Sequence, residues 1–436
     1  MVASTSRKSL KKIRDTTNYY PHQITGVRDL ARRTSFLLAD EMGLGKSLQA
    51  MTVAAIDFEQ GWARRVAVVC PATLKGNWDD EVEMFTNFTR MILDGKTPAI
   101  LEIQLAEFAD EGIDILILNY EQVKIHLETL NALNFDIVIF DEAHMLKSPK
   151  TQRTKACLQF KANRKFLLTG SPLLNQVNEL WTLLNMIEPA EFPNFWRFVN
   201  RYAVYGGFKD KQIIGVKNAA ELTERLQHVM VRRLKKDVLD LPDKQYITIR
   251  VDLHPEQKKL YDQVVNEMRI DMPDNPNPME VENALTKFLR LKQICGTTAT
   301  IEGYEDFSFK LDVAVEKVHE ITGGLQEPVV IFTQFRGVQE ALRKRLEKHG
   351  VKTHVLNGDT KMGDRQPMVK KWASEKNSVL VAMLQVAGVG LNMTAANKGI
   401  FVDKLFVPKL NEQAEDRFHR IGADKTRPVQ IIELIA

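Results

Sequence analysis

The sequence predicts an α/β protein made of two parallel-sheet lobes with helical insertions between them. Short β-rich runs recur with helix-like segments between them, as expected of buried parallel strands. These runs fall into two groups, one ending near Thr169 and the other beginning near Val329. Between the groups the apolar spacing is mostly helical. Two α/β units joined by helical material form an architecture of two lobes with a cleft.

In the first group, Phe36-Leu37-Leu38, Val66 to Cys70, Ile113 to Leu118, Phe135 to Phe140 and Lys165 to Thr169 read as strands. Leu48 to Ala55 reads as a helix. From Asn175 to about Leu239 the chain reads as helical, with Leu180, Leu183, Leu184 and Ile187 on one face. Leu241-Pro242-Asp243 is a break and a hinge. Residues 255–296 are helical again, apart from Asp271 to Pro278, whose three prolines forbid regular structure. In the second group, Val329 to Phe332, Lys352 to Leu356, Val379 to Met383, Ile400 to Asp403 and Val429 to Leu434 are strand-like. An amphipathic helix carrying Val338, Ala341, Leu342 and Leu346 lies between the first two. The expected division is a basic, flexible arm over 1–18, lobe 1 over 19–188, helical insertions over 189–300 with the hinge near 241–243, and lobe 2 over 301–436.

The 436 residues suit two or three domains, and 44% hydrophobic content is that of an ordinary globular protein. A net charge of +4 permits a polyanionic partner without demanding one. Cys70, Cys157 and Cys295 lie far apart with no C-x-x-C pair, which supports neither a disulfide framework nor a zinc site. A reducing, intracellular compartment fits: the cytoplasm of a bacterium or of a virus-infected cell, or a eukaryotic nucleus. No apolar run approaches a membrane span, and no secretory signal is visible, so no membrane partner is expected.

The chemistry begins at Asp40-Glu41-Met42-Gly43-Leu44-Gly45-Lys46-Ser47, set between a strand and a helix as a phosphate loop requires. Glycines at 43 and 45 let backbone N–H groups turn toward phosphate oxygens, and the helix beginning near Lys46 adds its positive end. Lys46 would pair with β- and γ-phosphates, and the Ser47 hydroxyl would ligate magnesium. The general pattern wants glycine where Asp40 stands. Asp141-Glu142-Ala143-His144 follows a strand, where ligands of parallel sheets collect. Asp141 can hold magnesium and Glu142 can polarise the attacking water; the alternative is an acidic loop with Asp141 as a helix N-cap. Arg417 and Arg420, three apart, would share one helical face and neutralise charge on a transferring phosphoryl group. Standing alone, that pair would instead serve as surface partners for Glu415 or Asp416.

This order of motifs resembles the helicase-like ATPases of superfamily two, and within it the Swi/Snf family of double-stranded DNA translocases. The resemblance runs from about Tyr20 to the C-terminus and implies RecA-like lobes, ATP and Mg2+ as cofactors, and double-stranded or branched DNA as partner. In that family an aspartate is usual where Asp40 stands. The resemblance implies that Gln23 reads the adenine edge and that Gln413 joins Asp40 to Ser47 in nucleotide binding. It makes His144, Thr169, Gly170 and Gly390 coupling residues between nucleotide and DNA sites. It likewise implies backbone-gripping roles for Thr73, Leu74, Asn77, Asn119, Tyr120, Gln334, Asn357, Gly388 and Asn392. Such side chains and bare N–H groups hold phosphates without reading bases, as a motor passing over any sequence needs. Ala387, Phe406-Val407-Pro408, Phe418 and Ala423 depart from the family's pattern without removing a catalytic group.

The expected function is therefore an ATP-dependent motor on double-stranded DNA, remodelling DNA structures or protein–DNA complexes in repair, recombination or replication. Because Lys46 and Glu142 lie in the first lobe and Arg417 and Arg420 in the second, hydrolysis is expected on lobe closure. A helicase separating strands of branched DNA or RNA is the alternative, and a non-enzymatic nucleic-acid scaffold a more distant one. Protein partners are not legible.

Overall fold

The computed structural model describes residues 10–436 except 96, 171–175, 207–211, 273–274, 282, 325–326, 388–390, 420–423 and 425. The chain forms two compact units, Met1–Leu239 and Asp240–Ala436.

In the first unit the strands are β1 (Ser35–Leu38), β2 (Val66–Cys70), β3 (Arg90–Ile92), β4 (Ile115–Asn119), β5 (Ile137–Asp141) and β6 (Arg164–Leu168), followed by β7 (Ala203–Gly206), β8 (Gln212–Val216) and β9 (Met230–Val231). Seven make one sheet in the order β3-β4-β2-β5-β6-β1-β9, with every neighbouring pair parallel. Central β2 is buried along its whole length because both sheet faces are covered. Each such Val, Leu or Ile contributes about 1.5–3 kcal/mol by leaving water.

Register decides where the loops emerge. Leu38 and Asp141 both pair with Leu168, and Cys70 pairs with Asn119. The carboxyl ends of β1, β2, β4, β5 and β6 therefore share one edge of the sheet, from which the expected site loops leave. Three helices frame that edge. They are α1 (Pro21–Ala31), opened by proline in its first turn; α2 (Lys46–Glu59), which sends Leu48 and Ala50 to Ala55 into the core; and α3 (Lys75–Phe85).

The second unit adds β10 (Lys244–Arg250), β11 (Arg269–Met272), β12 (Asn275–Glu280), β13 (Val329–Thr333), β14 (Lys352–Leu356), β15 (Ser378–Met383), β16 (Lys398–Phe401) and β17 (Val429–Ile435). Six form a parallel sheet in the order β10-β17-β16-β13-β15-β14. Its two faces bury separate clusters, one around Leu311, Val338 and Leu342 and the other around Trp372, Phe332 and Phe418. The helix Arg336–Lys348 buries Val338, Ala341, Leu342 and Leu346, the stripe expected of it.

Three expectations are corrected. Residues 10–18 do not run free as an arm: Ile13 is buried and bridges to Thr86, and Lys12 pairs with Asp114 at 2.6 Å. An apolar side chain and a buried carboxylate give that stretch something to hold. Nor is 189–300 a separate helical insertion, because it is divided between the units. β9 is the edge strand beside β1, β10 is the edge strand beside β17, and β7 and β8 form an antiparallel hairpin. Finally, the proline-bearing stretch includes strand β12, paired antiparallel with β11. In a two-stranded ribbon alternate N–H groups face outward, so prolines two apart, at 276 and 278, need cost no ladder bond. Among the described residues no helix is long and apolar enough to cross a membrane.

Candidate active site

The phosphate loop leaves β1 and is shaped by its glycines. Gly43 and Gly45 have φ of 80° and 75°, the left-handed region that glycine enters without penalty. Space makes the same demand at Gly45, where a Cβ would stand 2.3 Å from Gln23 Nε2. The Gln23 amide is spent on the loop and its own helix: Nε2 donates to Leu44 O at 3.3 Å and Oε1 accepts from Tyr20 N–H at 3.0 Å. Reading an adenine edge would require it to exchange one of these bonds. Lys46 curls over the loop and donates to the carbonyls of Asp40 (2.9 Å) and Glu41 (3.2 Å). Those oxygens occupy the ammonium as phosphate oxygens would. Gly170, just beyond β6, presses on the same loop, and a Cβ there would lie 2.5 Å from Met42 Cγ and 3.7 Å from Lys46 Nζ. Ser47 is half-buried in the first turn of α2.

The second element of the site is a pair of carboxylates. Asp141 ends β5, with Oδ2 accepting the Trp78 indole N–H at 2.8 Å and Oδ1 accepting the Glu142 N–H at 2.9 Å. Its carbonyl accepts the Tyr120 hydroxyl at 2.6 Å. Glu142 sits at φ 50°, a left-handed conformation that costs a non-glycine residue about 1–3 kcal/mol and persists where the surroundings enforce it. Burial, then the neighbouring Glu142, pushes the Asp141 carboxyl up to about 7, against the pull of Trp78 and Lys46. Two adjacent carboxylates, the first half-buried at the end of β5, are donors of the kind a hard divalent cation takes, and Asp141 with the Ser47 hydroxyl and substrate phosphates would suit magnesium. Among the described residues no group of three or more His, Cys, Asp or Glu could hold a metal ion.

His144 joins this pair to β6. Its Nδ1 lies 3.2 Å from Glu142 Oε2 and 3.2 Å from Thr169 Oγ1, while Thr169 N–H donates to Leu38 O at the root of the phosphate loop. Lys46, Asp141, Glu142, His144, Thr169 and Gly170 thus form one connected group in the first unit.

The expected backbone-gripping residues fare unevenly. Thr73 is exposed, whereas Leu74 is buried and its N–H is used by Pro71 O. Asn77 Nδ2 donates to Glu81, and Asn119 caps the helix Tyr120–Ile125 by accepting from the N–H groups of Glu121 and Gln122. Tyr120 is corrected: at 2% exposure it supports Asp141 and cannot lie on a DNA surface. Trp78, buried on α3, supports Asp141 through its indole N–H, a contact that no spacing in the sequence indicates. Only its place beside Asn77, in a segment already singled out, could have flagged it.

In the second unit Gln334 N–H donates to Asp403 Oδ1 at 2.7 Å, and its buried Nε2 has no partner among the described residues. Asn357 is held in a local turn by Asp359 N–H and Thr360, and Asn392 is exposed. Gln413 is half-buried on the helix Pro408–Glu415, and half-buried Arg417 follows it, its carbonyl accepting from Met393 N–H. Arg420, Gly388 and Gly390 lie outside the described residues.

Residues 22–299 match the SNF2-related domain, and residues 313–422 match the Helicase conserved C-terminal domain. The chain belongs to the SNF2-related family. Among its SNF2-related relatives is a SWI/SNF-related matrix-associated actin-dependent regulator of chromatin subfamily A-like protein 1 homolog of Caenorhabditis elegans, 30% identical over 95% of this chain and 58% of that protein. An uncharacterized ATP-dependent helicase of Mycoplasma pneumoniae is 29% identical over 98% of this chain and 40% of that protein. The putative ATP-dependent helicase/translocase YwqA of Bacillus subtilis is 28% identical over 89% and 43%. The chain thus spans about half the length of these relatives.

Proposed function

We propose that this SNF2-related chain is an ATP-dependent, helicase-like motor that hydrolyses ATP to move along double-stranded DNA and remodel DNA structures or protein–DNA complexes. The observation that carries the hydrolytic reading is the connected group from Lys46 through Gly170 to the Asp141–Glu142 pair. In it the glycine loop cradles the triphosphate and Lys46 trades two backbone carbonyls for phosphate oxygens. Asp141 and Ser47 would hold magnesium, which when bound neutralises charge on the phosphate oxygens. Glu142 orients and polarises the attacking water, and His144 passes the state of that carboxylate to Thr169. Arg417 and Arg420 keep the charge-neutralising role expected from the sequence. The resemblance to the Swi/Snf translocases favours DNA over RNA, and the three free cysteines suit a reducing, intracellular setting, with roles in repair or recombination.

The test is ATP hydrolysis in the presence of linear, forked and four-way DNA and of RNA duplexes. Stimulation by duplex DNA is expected, with Lys46→Ala and Glu142→Gln each losing turnover by about a hundredfold or more. Hydrolysis by Glu142→Gln at the unmutated rate would sink the site assignment. Silence of the intact chain with every nucleic acid would sink the motor.

A further inference from the structure

The phosphate loop is held from outside by the chain that leaves the first unit. β9 pairs with β1 through Leu37↔Met230 and Leu38↔Val231, and the bonding continues beyond both strands. Ala39 N–H donates to Val231 O at 2.8 Å, Glu41 N–H donates to Arg233 O at 2.9 Å, and Lys235 N–H donates to Glu41 Oε2 at 2.8 Å. Residues 229–235 are thereby laced to residues 37–41 up to the point where the loop turns toward Gly43.

Arg233 is the centre of this lacing. Its N–H donates to Asp40 Oδ1 at 3.1 Å, and its guanidinium reaches Asp40 Oδ1 at 3.5 Å, Asp29 Oδ2 at 3.2 Å and the carbonyl of His22. Asp40 is wholly buried, and its other oxygen accepts from Gln49 Nε2 at 3.3 Å. Burial raises the carboxyl of Asp40, and Arg233 is the leading influence that lowers it. The aspartate in a glycine's place thus has a physical reason. A fixed anion at the root of the loop gives Arg233 a target, and that arginine also grips both ends of α1, whose Gln23 touches Leu44 of the loop. Three acceptors in different directions match a planar five-donor fork and not a point-charge ammonium.

We propose that Arg233 is a positioning residue for nucleotide binding. Through Asp40 and the His22 carbonyl it locks the phosphate loop and α1 into one register, and it ties the last stretch of the first unit to both. This rests on the ATPase reading above.

The experiment measures binding of a fluorescent ATP analogue to the full chain, without DNA, for Arg233→Lys and for Arg164→Lys. Arg164 makes a comparably buried pair with Asp57 but stands at the opposite, amino edge of the sheet, so it controls for general destabilisation. Arg233→Lys is expected to weaken binding about tenfold or more, because small misplacements of a positioned site cost that much, while Arg164→Lys leaves it within twofold. In a further arm, Asp40→Asn combined with Arg233→Met should bind more tightly than Arg233→Met alone, since the buried anion no longer lacks its partner. Equal weakening by both lysine variants, or none by Arg233→Lys, would overturn the proposal. If the unmutated chain binds no nucleotide, the ATPase reading itself fails, which is a separate result.

Discussion

Replacing Trp78 by Phe tests the reading of Asp141 at a single atom. Phenylalanine keeps most of the ring in a site where Trp78 is 1% exposed, and it deletes the indole N–H that lies 2.8 Å from Asp141 Oδ2. A hydrogen bond to a charged group contributes about 1.5–3 kcal/mol, which corresponds to roughly 1–2 pKa units in favour of the carboxylate. Asp141 begins near 7, so its loss should move the group to about 8–9. At pH 7.5 the ionised fraction then falls from about three-quarters to somewhere between one-quarter and a few per cent. Since the metal binds the carboxylate and must displace the proton, half-maximal magnesium for ATP hydrolysis should rise about 3- to 25-fold. At pH 9 the carboxylate is almost wholly ionised in the unmutated protein and about half or more ionised in the variant, so the difference should shrink to about twofold or less. The assay is a magnesium titration at saturating ATP at both pH values, each referred to the unmutated protein. An equal loss at both would mean that Trp78 acts through packing alone and would refute the argument, as would no loss at pH 7.5.

Asp141→Asn should separate stability from activity. The folded-state pKa of Asp141 is raised above its unfolded value, so metal-free folded protein keeps a proton the unfolded chain has lost, and stability falls as pH rises from about 4 to 7. Calorimetry in EDTA should show the first unit of the Asn variant melting above the unmutated chain at pH 8, by a margin that shrinks clearly at pH 5. The same offset at both would contradict this. Tyr120→Phe leaves the buried Asp141 carbonyl without its 2.6 Å donor and should cost about 1–3 kcal/mol in urea unfolding with DNA affinity unchanged. Lost DNA affinity at unchanged stability would restore Tyr120 to the DNA surface. Arg164→Ala breaks a buried pair with Asp57 and strips donors from the carbonyls of Leu30 and Arg33. Urea titration of the first unit should register a loss of about 3–5 kcal/mol, and a shift below 1 kcal/mol would show the pair to be solvated.

What was legible in the sequence was whatever repeats locally. The central strands announced themselves by unbroken apolar, largely β-branched runs such as Val66 to Cys70 and Ile137 to Ile139, because strands covered on both faces carry no alternation to obscure them. The phosphate loop and the Asp141–Glu142 pair were legible because each is contiguous. Edge strands were not: β9 is two residues long, and β10 is largely exposed, so neither carries a burial pattern of its own. Both are strands only because β1 and β17 present an unpaired edge. The supports of the site were hidden for a related reason. Trp78 and Asp141 stand 63 residues apart, and Arg233 and Asp40 stand 193 apart; a contact made by folding leaves no spacing to read.

Phe418 shows how a departure from the family's pattern can be local to a core. Its ring is fully buried, stacked on Phe332 with centroids 6.0 Å apart, and it fills the space over Gly399, where a Cβ would lie 2.5 Å from the ring. Neither the ring nor the missing side chain makes sense alone. A smaller residue at 418 would open a cavity against β16, and any side chain at 399 would drive the ring off Phe332. The two positions, 19 apart, one on β16 and one in the turn after the helix Pro408–Glu415, therefore have to change together. Because Arg417 precedes Phe418 directly, that packing also anchors the backbone from which the arginine projects.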